Sequence, residues 1–414
     1  MVDWSKSFPP EVESELVEFA QHLIRIRSFS GQEGEIVRFI ERKMLALGYD
    51  EVFIDAMGNV VGKIGDGGQA IWFDSHIDTV QVNDAAEWEV PPFGGEIREG
   101  RLYGRGAADM KCGAAASICA AALAKRLGWI RDKTVYVSCT VLEEDCDGEN
   151  LKHLFNELRL RPDYVVICEP SNNQIALGHK GKAQISIKTY GVSAHSASPE
   201  KGVNAVYEMA EVIRRVEQTH LELMKKGEPR ATLALCGISS VSVSPNAIPA
   251  ECEVYLDRRI VPGESEADLQ EELAQIIRGK RATWEIQTLR RKSWTGMEVE
   301  YRPFHLAWQI GLDHELTQAC IAAYRETFGT EPSQYGFWDF STNAVTPVRL
   351  GIPTIGFGPG DPKLAHMRNE FCEVRQLLEA CVFYTRLLKN PIGPGREPVL
   401  RKDSDRGDRG RALG

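Results

Sequence analysis

Three strand-length apolar runs, residues 70–80, 134–142 and 164–168, each end in side chains able to bind a metal. The first delivers His76 and Asp78, the second Glu143 and Glu144, the third Glu169. Short apolar runs bounded by polar residues read as buried strands, and strands buried on both faces belong to sheets covered by helices. Helical spacing precedes and separates them. Leu16, Phe19, Leu23 and Ile24 form one apolar stripe, and Ile36, Phe39, Ile40 and Leu45 a second, with a break at Ser28-Phe29-Ser30-Gly31. The alanine-rich run 112–127 is a good helix former. Helices alternating with such strands predict an α/β layer with its polar site at the strands' carboxyl edge.

After Gly181 the pattern changes. Residues 183–190 alternate as a strand with one wet face; a helix over 203–226, strands over 232–243 and 251–259, a helix over 266–278 and a strand over 283–289 follow. That order predicts a two-layer α+β unit inserted in the larger domain. The expected division is 1–180 and 299–390 for the first domain and 181–298 for the insert. The Pro-, Gly-, Arg- and Asp-rich stretch 391–414 is expected to be a disordered tail. A length of 414 residues suits two cores better than one.

Acidic residues outnumber basic ones, 59 to 49, for a net charge of -10, which disfavours nucleic acid as a partner. The first seven residues have no basic region followed by an apolar run, and no membrane-length apolar stretch is expected downstream, so no membrane partner and a cytoplasmic location are expected. The ten cysteines form no Cys-x-x-Cys pair, and Cys119, Cys139, Cys168 and Cys252 fall in apolar patterns, so reduced, mostly buried thiols are expected.

Side chains two apart on a strand share a face, so Asp78 is placed to orient the imidazole of His76, as metal-binding histidines require. A hydrogen-bonded core histidine is the plain alternative. Asp109 sits where it would cap the alanine-rich helix. The acidic run 143–149 is equally a solvated loop; it fits a calcium loop poorly, because its glycine is misplaced for an EF-hand. Neighbouring glutamates at a strand end point to opposite sides, so one could bind a metal while the other faces a water.

The strings Asp74-Ser75-His76-Ile77-Asp78-Thr79-Val80, Leu102-Tyr103-Gly104-Arg105-Gly106-Ala107-Ala108-Asp109-Met110-Lys111, Glu143-Glu144, Cys168-Glu169-Pro170-Ser171 and Ala365-His366-Met367-Arg368-Asn369-Glu370 resemble, in order, the motifs of the M20 metallopeptidase family. The resemblance implies a zinc-exopeptidase-like catalytic domain with a mixed sheet, plus a lid domain that also dimerises. By position, it implies two divalent ions, zinc first with cobalt or manganese as alternatives. His76 and Glu169 would bind one and Glu144 and His366 the other, with Asp109 bridging. Asp78 would hold the His76 imidazole and Glu143 would be the general base.

In the insert, Gly191-Val192-Ser193-Ala194-His195 resembles the lid segment whose histidine donates to the oxyanion, often across a dimer interface. Residue by residue, a surface histidine is the plain reading of His195, and a surface ion pair that of Arg259. Asn246 and Arg259 resemble lid residues that hold a substrate carboxylate; Arg258 competes with Arg259 for that place. Residues 337–344 depart from the family's glycine-rich loop, and the string Trp338 to Asn343 looks like the branch described as selenium-metabolism hydrolases. The resemblance thus implies a homodimeric hydrolase cleaving an amide bond of a small N-acyl amino acid, dipeptide or related carboxylate. The rivals are release of ammonia from a small, aromatic or other, substrate, and a catalytically silent ligand-binding member.

Overall fold

The computed structural model describes residues 10–393. The expectations for the first seven residues and for most of the 391–414 tail fall outside that span. A nine-stranded mixed sheet runs in the order Glu51–Ile54, Val60–Ile64, Lys133–Thr140, Gln69–His76, Tyr164–Ile167, Thr354–Gly356, Ala176–His179, Trp308–Gln309, with Gly336–Trp338 also on Ala176–His179. Gln69–His76 is central and parallel to both neighbours, pairing His76 with Thr140 and Asp74 with Ile167. The three apolar runs therefore sit side by side and end at one edge.

The helix Cys112–Arg126 buries nearly every residue, because alanine lets it lie close to its neighbours. At its start, a Cβ on Gly113 would come within 2.3 Å of the Cys168 carbonyl oxygen, so the glycine permits the approach to the third strand end. Val374–Leu387 packs beside it, with Phe383 stacked on Phe357 at 3.7 Å. One expectation needs amendment: Ala107–Arg126 is long and apolar enough to cross a membrane, but 94% of that window is buried inside the fold. The helix itself begins only at Cys112, and its small core residues produce the same hydropathy as a span. Nine of the ten thiols are buried and all are free, Cys236 being exposed.

A second sheet is ordered Thr232–Val241, Glu251–Ile260, Gly181–Tyr190, Ala282–Glu285, with Phe304–His305 also on Gly181–Tyr190. Ala205–Leu223, capped by Asn204, and Glu266–Ile277, opened by a Ser265–Asp268 capping box, bury Met209, Val212 and Leu273 against Ile185, Ile187 and Val254. The strand and helix order matches the sequence expectation.

The hairpin Leu289–Lys292 with Glu298–Tyr301 was not expected. Its strands carry Arg290, Arg291, Lys292, Glu298 and Glu300, which mask the apolar alternation. Its tip returns to the first core: Trp294 Nε1 donates to the Gly58 carbonyl at 3.1 Å, and Arg38 lies over the ring. Gly58 has φ +102°, and a Cβ there would strike the indole. The chain then reaches the second sheet again at Phe304–His305 before joining the first at Trp308–Gln309. Buried Asp147 accepts from Lys182 at 2.8 Å, and from Tyr301 and Ser341, tying both chain crossings to the acidic turn.

Candidate active site

His76 is the last residue of its strand and is fully buried. Its Nδ1 donates to the Asp78 backbone carbonyl at 3.0 Å, fixing the ring and leaving Nε2 to the cluster. The Asp78 carboxylate lies 3.6 Å from the same nitrogen, so it supports the ring electrostatically while the backbone makes the hydrogen bond. Its two oxygens are occupied elsewhere. They accept Glu143 N–H at 3.0 Å, Glu144 N–H at 3.2 Å and Ser30 Oγ at 2.7 Å.

Those contacts explain a difference from the sequence expectation. Glu143 and Glu144 do not alternate at a strand end; they open the single-turn helix Glu143–Cys146 after Leu142, which has φ 59°. A carboxylate collecting the free N–H groups of a helix start favours that turn over further strand. Asp109 differs too. It caps nothing: its φ and ψ of -120° and 90° are non-helical, and the helix begins at Cys112. Its carboxylate is turned to two histidines instead, Oδ1 to His76 Nε2 at 3.0 Å and Oδ2 to His366 Nε2 at 3.3 Å. His366 Nε2 lies 2.9 Å from Glu144, and His76 Nε2 lies 3.7 Å from Glu169.

The structure thus brings together His76, Asp109, Glu143, Glu144, Glu169 and His366. Two sets of donor atoms, His76 with Asp109 and Glu144, and His76 with Glu143 and Glu169, each fall within 4.8 Å. Four carboxylates converge on two imidazoles, and Glu169 Oε2 is buried with no hydrogen-bond partner. Buried negative charge of this density calls for cations. The titrations follow. Burial pushes Glu143 and Glu169 well above the usual carboxylate range, and burial with the Asp109 charge raises Glu144. Burial would lower His76, but Glu169 and Asp109 hold it well above the ordinary histidine value. Hydrogen bonds to Asp109 and Glu144 push His366 up to about 10. Oxygen and imidazole donors of this kind suit divalent metal ions.

Sequence reasoning assigned no role to Arg105 or Glu370, and both support the cluster from below. Glu370 is fully buried; Oε1 accepts Ala108 N–H at 2.9 Å and Asp109 N–H at 3.0 Å, and Oε2 accepts Arg105 at 2.7 Å. Arg105 also donates to the His366 carbonyl at 3.2 Å. The pair therefore sets the backbone of Asp109 and His366 together. The signal was available, since Arg105 and Glu370 stand inside two of the quoted strings. Arg368 pairs with Asp84 at 3.2 Å and with Glu87, which fastens residues 84–87 beside the His366 turn.

His195, Asn246 and Arg259 are not brought to this cluster; among the described residues their polar contacts stay in the second unit. His195 bridges Ala247, and Ser196 N–H donates to the Asn246 carbonyl at 2.8 Å, so the first two share one exposed edge. Arg259 pairs with Asp257 at 2.7 Å. Arg258 is buried between Glu264 and Glu272, which removes it from competition for a ligand. Of the aromatic loop, Trp338 is buried, its Nε1 donating to the Pro170 carbonyl, and Asn343 Nδ2 donates to buried Asp74 at 2.8 Å. Both brace the Glu169 strand end and the sheet edge.

The description of peptidase family M20/M25/M40 matches residues 72–390. The chain is 32% identical over 385 residues to uncharacterized protein YgeY of Escherichia coli (strain K12), covering 91% of this chain and 94% of that protein. It is 28% identical over 393 residues to a succinyl-diaminopimelate desuccinylase of Cereibacter sphaeroides, with 89% and 96% covered. Among solved structures, the M20 family metallo-carboxypeptidase Sso-CP2 from Sulfolobus solfataricus has a TM-score of 0.70 at 18% identity, covering 91% of this chain and 98% of that one. Aminopeptidase PepT from Bacillus cereus has a TM-score of 0.69 at 22% identity, with the same coverage. The two structures share the fold.

Proposed function

The chain belongs to peptidase family M20/M25/M40 and is a metal-dependent hydrolase, and from that premise we propose that it cleaves an amide bond of a small N-acyl amino acid, dipeptide or related carboxylate. The observation that carries the reading is Asp109, which offers one oxygen to each of two histidines that are themselves flanked by Glu169 and Glu144. In this reading His76 and Glu169 hold one divalent ion, His366 and Glu144 hold the other, and Asp109 serves both. The ions, zinc first and cobalt or manganese next, supply Lewis acidity and make water a nucleophile at neutral pH.

Glu143 takes the proton from the attacking water and returns it to the leaving amine. Asp78 and the Asp78 carbonyl hold His76 and the Glu143–Glu144 turn. The second unit acts as a lid: His195 donates to the oxyanion and Asn246 and Arg259 take the substrate carboxylate. We also read the chain as a homodimer. Thr232–Val241 is an open sheet edge with exposed Leu235 and Ile238 on one face, and pairing with a second copy would cover that edge.

The desuccinylase name of one relative supports amide cleavage over release of ammonia. The test is a panel of N-acyl amino acids and dipeptides, assayed for free amino acid and for ammonia in parallel. Amino acid released without ammonia, and abolished by a chelator, is the expected result. Ammonia as the product would replace this reading with the deaminase alternative; no product from any acyl amino acid with both ions bound would favour a silent ligand-binding member.

A further inference from the structure

The turn between the first two helices looks at first like a simple break, yet it reaches under the site. Ser28 Oγ donates to the Ile77 carbonyl at 2.6 Å, Thr79 N–H donates to the Ser28 carbonyl at 2.9 Å, and Ser30 Oγ donates to Asp78. Glu33 is fully buried and closes the turn. Its Oε1 accepts Gly31 N–H at 2.9 Å and Leu142 N–H at 3.1 Å. Three consecutive backbone donors, those of Leu142, Glu143 and Glu144, are thus held by two buried carboxylates, Glu33 for the first and Asp78 for the other two.

Leu142 is the residue with positive φ that converts the strand into the acidic helix turn. A branched side chain rarely adopts that conformation unless neighbours hold it there. Among the described residues only Glu33 binds its N–H, and Glu33 is 109 positions away in sequence, on a segment that carries none of the six clustered side chains.

We infer that Glu33 is a positioning residue: through Leu142 it sets where Glu143 and Glu144 stand. This rests on the metal assignment above and goes beyond it. On that assignment the turn carries Glu144 to the His366 ion and, with Glu143 as the general base, no ligand to the His76 ion. Loss of Glu33 should loosen one ion and spare the other. Glu33 Oε2 has no hydrogen-bond partner among the described residues, so a side chain keeping only the Oε1 acceptor suffices.

The test titrates zinc alone into metal-stripped protein and resolves the two binding steps by calorimetry, for the unsubstituted chain, Glu33→Ala and Glu33→Gln. For Glu33→Ala one of the two binding steps is expected to fall by about 10–100-fold while the other stays within about threefold, the range for groups that orient metal ligands. Glu33→Gln should keep both steps near the unsubstituted values. Equal loss at both steps, or no loss with only a lowered melting temperature, would overturn the inference, as would a glutamine variant as impaired as the alanine one. Should Glu33→Ala not fold, Glu33→Asp, whose shorter side chain withdraws the carboxylate from Leu142 N–H, must weaken one step and spare the other. If the unsubstituted chain binds fewer than two ions, the two-metal reading fails instead, which separates the two claims.

Discussion

Glu143→Gln is expected to lower turnover by about 10²–10⁴-fold, the usual contribution of a positioned general base, and to leave both ions bound. The substitution is nearly isosteric. The Glu143 backbone N–H stays on Asp78, so the turn and Glu144 keep their places. What disappears is the group that accepts the water proton. The geometry makes the outcome informative, because Glu143 also falls within one of the two donor sets, with His76 and Glu169. Metal analysis on the same preparation decides between roles. An ion lost along with activity would make Glu143 a ligand.

Glu370→Ala should cost about 3–5 kcal/mol of stability, because it leaves the buried Arg105 charge without its partner. It also strips the acceptor from Ala108 and Asp109 N–H. Denaturant unfolding measures the loss. A double variant, Arg105→Met with Glu370→Leu, separates the two effects. Removing both charges should recover much of the stability, since apolar replacement of a buried pair is often tolerated. Metal retention should not recover, since Asp109 and His366 still lack the groups that fix their backbone. Full retention by the double variant would reduce the pair to a packing role.

These expectations show what the sequence carried and what it did not. The three strand ends were legible because burial on both faces of a central parallel strand leaves a bare apolar run, as in 70–73. The six clustered side chains were legible through short strings of fixed order. The support beneath them was harder to read. Glu33 reaches Leu142 across 109 positions, and no local periodicity reports such a contact. The conformations of Asp109 and of the Glu143–Glu144 turn depend on hydrogen bonds to Glu370 and Asp78 that override local helix and strand preference. The hairpin around Trp294 was hidden because its seat is made of two glycines, Gly34 and Gly58, on another segment. His195, Asn246 and Arg259 remain on the second unit, and residue resemblance alone supports their roles.

The central claim is that one carboxylate, Asp109, serves two ions held by separate histidine and glutamate pairs. Metal per chain, measured by mass spectrometry on protein loaded with zinc and freed of excess, tests it most directly when the unsubstituted chain is compared with His366→Ala and Asp109→Ala. Two ions for the unsubstituted chain, one for His366→Ala and none firmly held for Asp109→Ala are the predicted values. One ion in the unsubstituted chain, or two retained by Asp109→Ala, would contradict the account.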